Sequence, residues 1–152
     1  ASLLATAARI GALVAGYPRD VIEAVTAFGH NYGMAFQVVD DLLDVVATDE
    51  QLGKPAGNDL VEGTYTLPVI RALAGSAGDE LRGLLGCPID DATRDRVQDL
   101  LRIDTSLAAT RTTATDFLGR ATAALDSLGD GPAVGTLRTT CSLLLDRLDS
   151  AG

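Results

Sequence analysis

Phe36-Gln37-Val38-Val39-Asp40-Asp41-Leu42-Leu43-Asp44 sets three carboxylates within five residues of an otherwise apolar run. On a helix, Asp40 and Asp44 stand four residues apart and share a face, Asp41 lies about 100° round from Asp40, and Gln37 falls one turn back on the same side. Val38, Val39, Leu42, Leu43, Val45 and Val46 fill most of the remaining surface, which predicts a largely buried helix. Carboxylates so placed repel one another and resist desolvation unless a cation compensates them. A hard, oxygen-seeking divalent ion such as Mg2+ is the natural candidate, because it keeps several waters and accepts substrate phosphates as further ligands. The alternative is an acidic patch on an amphipathic helix.

Outward from this stretch the chain reads as all-α. It is 47% hydrophobic but only 4% aromatic, so Leu, Val and Ala must pack the core, and the sequence carries little β-type alternation. The 152 residues suit one domain or a large piece of one. A net charge of −9 argues against nucleic acid and against electrostatic attachment to anionic membranes. No apolar run reaches the ~18 residues that span a bilayer, so stable membrane insertion is not expected. Cys87 and Cys141 have no metal-ligand spacing and read as buried free thiols, which fits a reducing, cytoplasmic setting. Ala1 opens directly into helix-like sequence with no methionine or polar lead-in, so the chain reads as part of something longer.

Upstream, Ala1 to Ala15 is small and apolar nearly all round, which predicts a helix interior to a bundle. Gly16-Tyr17-Pro18 ends it, and the longest helix should run from Arg19 to about Ala47, with Gly29 and Gly33 admitting a close neighbour. Downstream, Thr48 to Gly63 is polar, rich in Gly and Asp, and predicted to be a functional loop. It carries Lys54, the only lysine of the sequence, a compact ammonium suited to a phosphate oxygen; a plain surface lysine is the alternative. Further helices are expected from Thr66-Leu67-Pro68 to Leu73 or Ala74, from Asp79 to Leu85, from a cap at Asp90 or Asp91 to Ile103, from Ala109 to Leu128, and from Ala133 to Leu148. Asp90, Asp91 and Asp95 suit a helix N-terminus rather than a metal. His30 has no partner in the pattern and reads as an ordinary polar helix position.

Taken in order, Phe36-Gln37-x-x-Asp40-Asp41-x-x-Asp44, then Leu52-Gly53-Lys54, then Asp59-x-x-Glu62-Gly63-x-x-Thr66-Leu67-Pro68 resembles the trans-isoprenyl diphosphate (polyprenyl) synthases, over about 33 residues. A weaker likeness covers the rest of the chain and corresponds to the C-terminal half of that family's single catalytic domain. The acidic stretch resembles the family's second aspartate-rich motif; the first is absent from this sequence, as are the basic residues that bind isopentenyl diphosphate. The resemblance implies an isoprenoid-synthase-type helical bundle in which two such motifs hold Mg2+ ions on an allylic diphosphate. Departure of the diphosphate leaves an allylic cation, isopentenyl diphosphate attacks it, and proton loss completes a head-to-tail condensation.

Carried over by position, Asp40, Asp41 and Asp44 are the expected metal residues, with Asp41 supporting more often than ligating. Lys54 is expected to contact the allylic diphosphate, Gln37 to line the site near the reacting carbons, Phe36 to form pocket wall and Asp59 to order the loop. Thr64 stands where many family members carry a lysine, which weakens one grip on the diphosphate. The resemblance implies a homodimer for the full-length protein and an inactive isolated half. Two other readings share the same features: a noncatalytic partner or regulatory subunit of a synthase, and a terpene cyclase. Asp40-Asp41-x-x-Asp44 followed by Gly53-Lys54 speaks against the cyclase, whose second metal motif is usually of Asn/Ser/Glu type.

Overall fold

The computed structural model describes residues 1–46, 56–86 and 88–150. Among them the regular structure is helical: α1 (Ser2–Val14), α2 (Arg19–Val46), α3 (Asn58–Val61), α4 (Leu67–Leu73), α5 (Gly78–Leu84), α6 (Asp91–Ile103), α7 (Ser106–Ala124), a short 3-10 turn (Asp126–Leu128) and α8 (Pro132–Ser150). The expected all-α class therefore holds, with no strand among the described residues. Lys54 and Cys87 lie outside the described residues. The fold divides into two compact units, Ala1–Val39 with Thr113–Ser150, and Asp40–Thr112, and the divisions fall inside α2 and α7 rather than in a linker.

In the first unit, α1 packs on α2 through glycine. A Cβ at Gly29 would sit 2.7 Å from the Leu4 carbonyl oxygen and 2.9 Å from the Ala5 Cα, so the two backbones approach as closely as a side chain's absence allows. Phe28 stacks on Tyr32 one turn later, with ring centroids 5.7 Å apart. Within this chain α1 is covered along one stripe only. Only Ala12 is buried, while Leu3 and Val14 are 80% and 83% exposed. A helix apolar all round covers only the stripe that faces its neighbour. Cys141 on α8 is a buried free thiol, as expected, and burial pushes its pKa up from the ordinary 9.0.

The second unit is built round one core in which Val45 of α2, Leu60 of α3, Val69 and Ala72 of α4, Leu81 of α5, and Val97, Leu100 and Leu101 of α6 are all buried. Pro68 opens α4, where a missing amide costs nothing. Asp90 caps α6 by accepting a 2.8 Å hydrogen bond from the Thr93 amide. Helix α7 starts three residues before the expected Ala109, at Ser106, because Asp104 Oδ1 accepts from the Ser106 amide at 2.7 Å and caps the turn. It also ends early, passing at Leu125 into the 3-10 turn instead of continuing to Leu128.

Candidate functional site

The acidic stretch lies in the last turns of α2, in the second unit from Asp40 onward. Apolar side chains at Leu42, Leu43 and Val45 fix the helix orientation by their burial, and this decides where the carboxylates go. Asp40 is exposed, whereas Asp41 and Asp44 are buried, with 9% and 4% of their surface left. Upstream on the same helix Gln37 is exposed and Phe36 is 43% exposed.

A buried carboxylate is costly unless its oxygens are satisfied. Asp44 is engaged through both its side chain and its main chain. Its Oδ2 accepts from the Asp59 amide at 3.3 Å, a long bond, and its carbonyl oxygen accepts from the Gly57 amide at 2.8 Å and from Gln98 Nε2 at 3.3 Å. The chain reaches this position through Gly57, whose φ of 73° turns the backbone into α3. Leu60, 2% exposed, anchors α3 in the core. The Thr64 amide then donates to the Asp59 carbonyl at 2.7 Å, the Asn58 side-chain amide donates to Glu62 Oε1 at 2.8 Å, and Gly63 at φ 74° makes the exit.

The part of the expected loop that is described is thus ordered about one helical turn, not irregular, and its first residues are tied to the end of the acidic helix. Asp59 is engaged through its main chain: its amide donates to Asp44 Oδ2 and its carbonyl accepts from the Thr64 amide.

The donor chemistry suits a hard cation. Two of the three carboxylates of the acidic stretch are buried, all offer oxygen only, and no His or Cys stands among them. The geometry is one-sided, since no three His, Cys, Asp or Glu side chains among the described residues converge on a common point. Carboxylates of a single helix contribute ligands from one side, and the rest of a coordination sphere has to come from waters, substrate oxygens or another segment.

Sequence reasoning missed Gln98, which is buried at 5% exposure in α6 and bonded to the Asp44 carbonyl. Its polar letter on an amphipathic helix gave no signal. Gly57-Asn58-Asp59 did carry a turn signal, but not the address of the amides. His30 is exposed, as an ordinary helix position should be. Among the described residues, no helix is long and apolar enough to cross a membrane.

The polyprenyl synthetase family model matches residues 1–103. The chain belongs to the polyprenyl synthetase family. It is similar, at 37% identity over 138 residues, to heptaprenyl diphosphate synthase component 2 of Geobacillus stearothermophilus, a match covering 91% of this chain and 43% of that protein. Geranylgeranyl diphosphate synthase of Methanosarcina mazei is 34% identical over 148 residues, covering 95% of this chain and 44% of its own length. Among crystal structures, geranylgeranyl pyrophosphate synthase from Corynebacterium glutamicum, complexed with calcium and isoprenyl diphosphate, superposes with a TM-score of 0.87 at 34% identity, over 99% of this chain and 47% of that one. The fold of this polyprenyl synthetase chain is therefore that of the isoprenoid synthases. The chain spans under half the length of the curated relatives it matches.

Proposed function

We propose that the chain is the C-terminal half of a polyprenyl diphosphate synthase domain. The whole protein would catalyse Mg2+-dependent head-to-tail transfer of an allylic group to isopentenyl diphosphate. The observation that carries this reading is the pair of buried carboxylates, Asp41 and Asp44, beside exposed Asp40 on the final turns of α2, in a chain of this family. The calcium and isoprenyl diphosphate of the Corynebacterium glutamicum structure support it, because calcium and Mg2+ share a preference for carboxylate and phosphate oxygens.

In the reaction the C1–O bond of the allylic diphosphate breaks, a carbon–carbon bond forms to the terminal carbon of isopentenyl diphosphate, and a proton leaves the new chain. Asp40 would hold Mg2+ as a ligand and Asp44 directly or through water, with Asp41 in support. When bound there, Mg2+ would supply positive charge toward the departing diphosphate. Lys54 adds an ammonium to the same diphosphate, and Thr64 leaves one position without the lysine that many members carry. Gln37 presents an amide near the reacting carbons and Phe36 offers pocket wall, both from the exposed side of α2. The Asp44–Asp59 bond keeps the carboxylate fixed while the chain re-enters α3.

On this reading the 152-residue chain by itself holds one wall of the site and is inert, and the full-length enzyme is a cytoplasmic homodimer. An assay of both forms with Mg2+, an allylic diphosphate and isopentenyl diphosphate tests it. Turnover by the full-length protein alone is expected, and equal turnover by the short chain would sink the half-site reading. A second reading is favoured by one observation: the Geobacillus relative is named as component 2 of its synthase, which points to a second component there. If this chain works as a partner subunit, the full-length protein would be inactive until the other component is added.

A further inference from the structure

We infer that Gln98, on a helix outside the acidic motif, is a positioning residue for the metal-binding end of α2, acting through the main chain of Asp44. The inference rests on the proposed metal role of Asp44. Among the described residues, the Gly57 and Asp59 amides and the Gln98 side-chain amide all donate to that one residue. Two of them meet at the carbonyl oxygen, at 2.8 Å from Gly57 and 3.3 Å from Gln98. Donors held on the main chain of a helical residue fix where that residue sits, and with it how its side chain is aimed.

Gln98 is well placed to do this rigidly. It is 5% exposed, and its neighbours Val97, Leu100 and Leu101 on α6 are buried in the same core as Val45, the residue after Asp44. A glutamine is not required for packing at such a position; a hydrophobic residue of equal length would fill the space without the burial of a polar amide. The amide earns its place by donating to Asp44. The site is also tight, since a Cβ at Gly57 would lie 3.0 Å from both Gln98 Nε2 and the Arg94 Cδ, so the loop backbone, Gln98 and the end of α2 are set as one piece.

The test uses the full-length protein and reads Mn2+ affinity by electron paramagnetic resonance titration, with Mn2+ standing in for Mg2+. Gln98→Met keeps length and removes the donor. Leu100→Ala serves as a control that loosens the same helix without touching Asp44. Gln98→Met is expected to weaken Mn2+ binding about tenfold, while Leu100→Ala lowers thermal stability and leaves the affinity unchanged. Unaltered affinity in Gln98→Met, or an equal loss in Leu100→Ala, overturns the proposal. Asp44→Asn separates the two levels: if it abolishes Mn2+ binding while Gln98→Met does not alter it, the metal reading stands and the role of Gln98 falls. If Asp44→Asn leaves binding intact, both fall. Should Gln98→Met fail to fold, amide exchange in the unaltered protein decides, because the Gly57 and Asp59 amides are expected to exchange more slowly with Mg2+ present. An unchanged rate at both overturns the proposal.

Discussion

The Asp59 amide donates to Asp44 Oδ2 at 3.3 Å, joining the first turn of α3 to a carboxylate fifteen residues earlier in the chain. It brings the loop and the acidic helix together without any side-chain charge from Asp59. Replacing Asp44 should therefore disturb the site more than the fold. In the full-length protein Asp44→Asn is expected to lower kcat/KM for prenyl transfer by about a hundredfold or more, the order set by losing a ligand to a charge-stabilising ion. A steady-state assay with a circular dichroism melt checks both halves. Near-normal kcat/KM in Asp44→Asn would remove Asp44 from the site.

Helix α1 approaches α2 over Gly29, where an added methyl would meet the Leu4 carbonyl oxygen at 2.7 Å. Gly29→Ala is expected to destabilise the protein by about 1–3 kcal/mol through overpacking. Gly119 sits in α7 with nothing within 4 Å of its missing Cβ, so Gly119→Ala should instead stabilise by about 0.5–1 kcal/mol. Thermal melts of the two variants should move in opposite directions.

Leu101 is fully buried in the core of the second unit. Leu101→Ala should cost about 2–5 kcal/mol, seen in urea as a lower midpoint with an unchanged slope. An unaltered midpoint would mean that α6 does not hold that core.

The Asp90 carboxylate takes hydrogen bonds from the hydroxyl and amide of Thr93, and these hold its pKa below the ordinary 3.8. A depressed carboxyl contributes its stability in full above the unfolded value and loses it as pH falls through the lower folded value. Asp90→Ala should accordingly melt at a lower temperature than the unaltered chain near neutrality, with the gap closing as pH drops below 3.8. A gap that stays constant down to acid pH would assign the effect to something other than the ionised cap.

By itself the sequence determined the helical class, the acidic helix and the family. Each of these is local: apolar spacing along α2, turn residues at Gly16 and Gly129, and the ordered run from Phe36 to Pro68 are all written in neighbouring letters. A cap at Asp90 or Asp91 was legible for the same reason, and the structure places it at Asp90. Tertiary structure alone decided which carboxylates are buried. Asp40 and Asp44 share a helical face in the letters, yet Asp40 is exposed and Asp44 buried, because burial depends on what α3 and α6 place against the end of α2. It also decided that Gln98, fifty-four residues from Asp44, reaches its carbonyl. Such contacts depend on the packing of separate helices, and a one-dimensional pattern carries the face of a helix but not the neighbour that meets it.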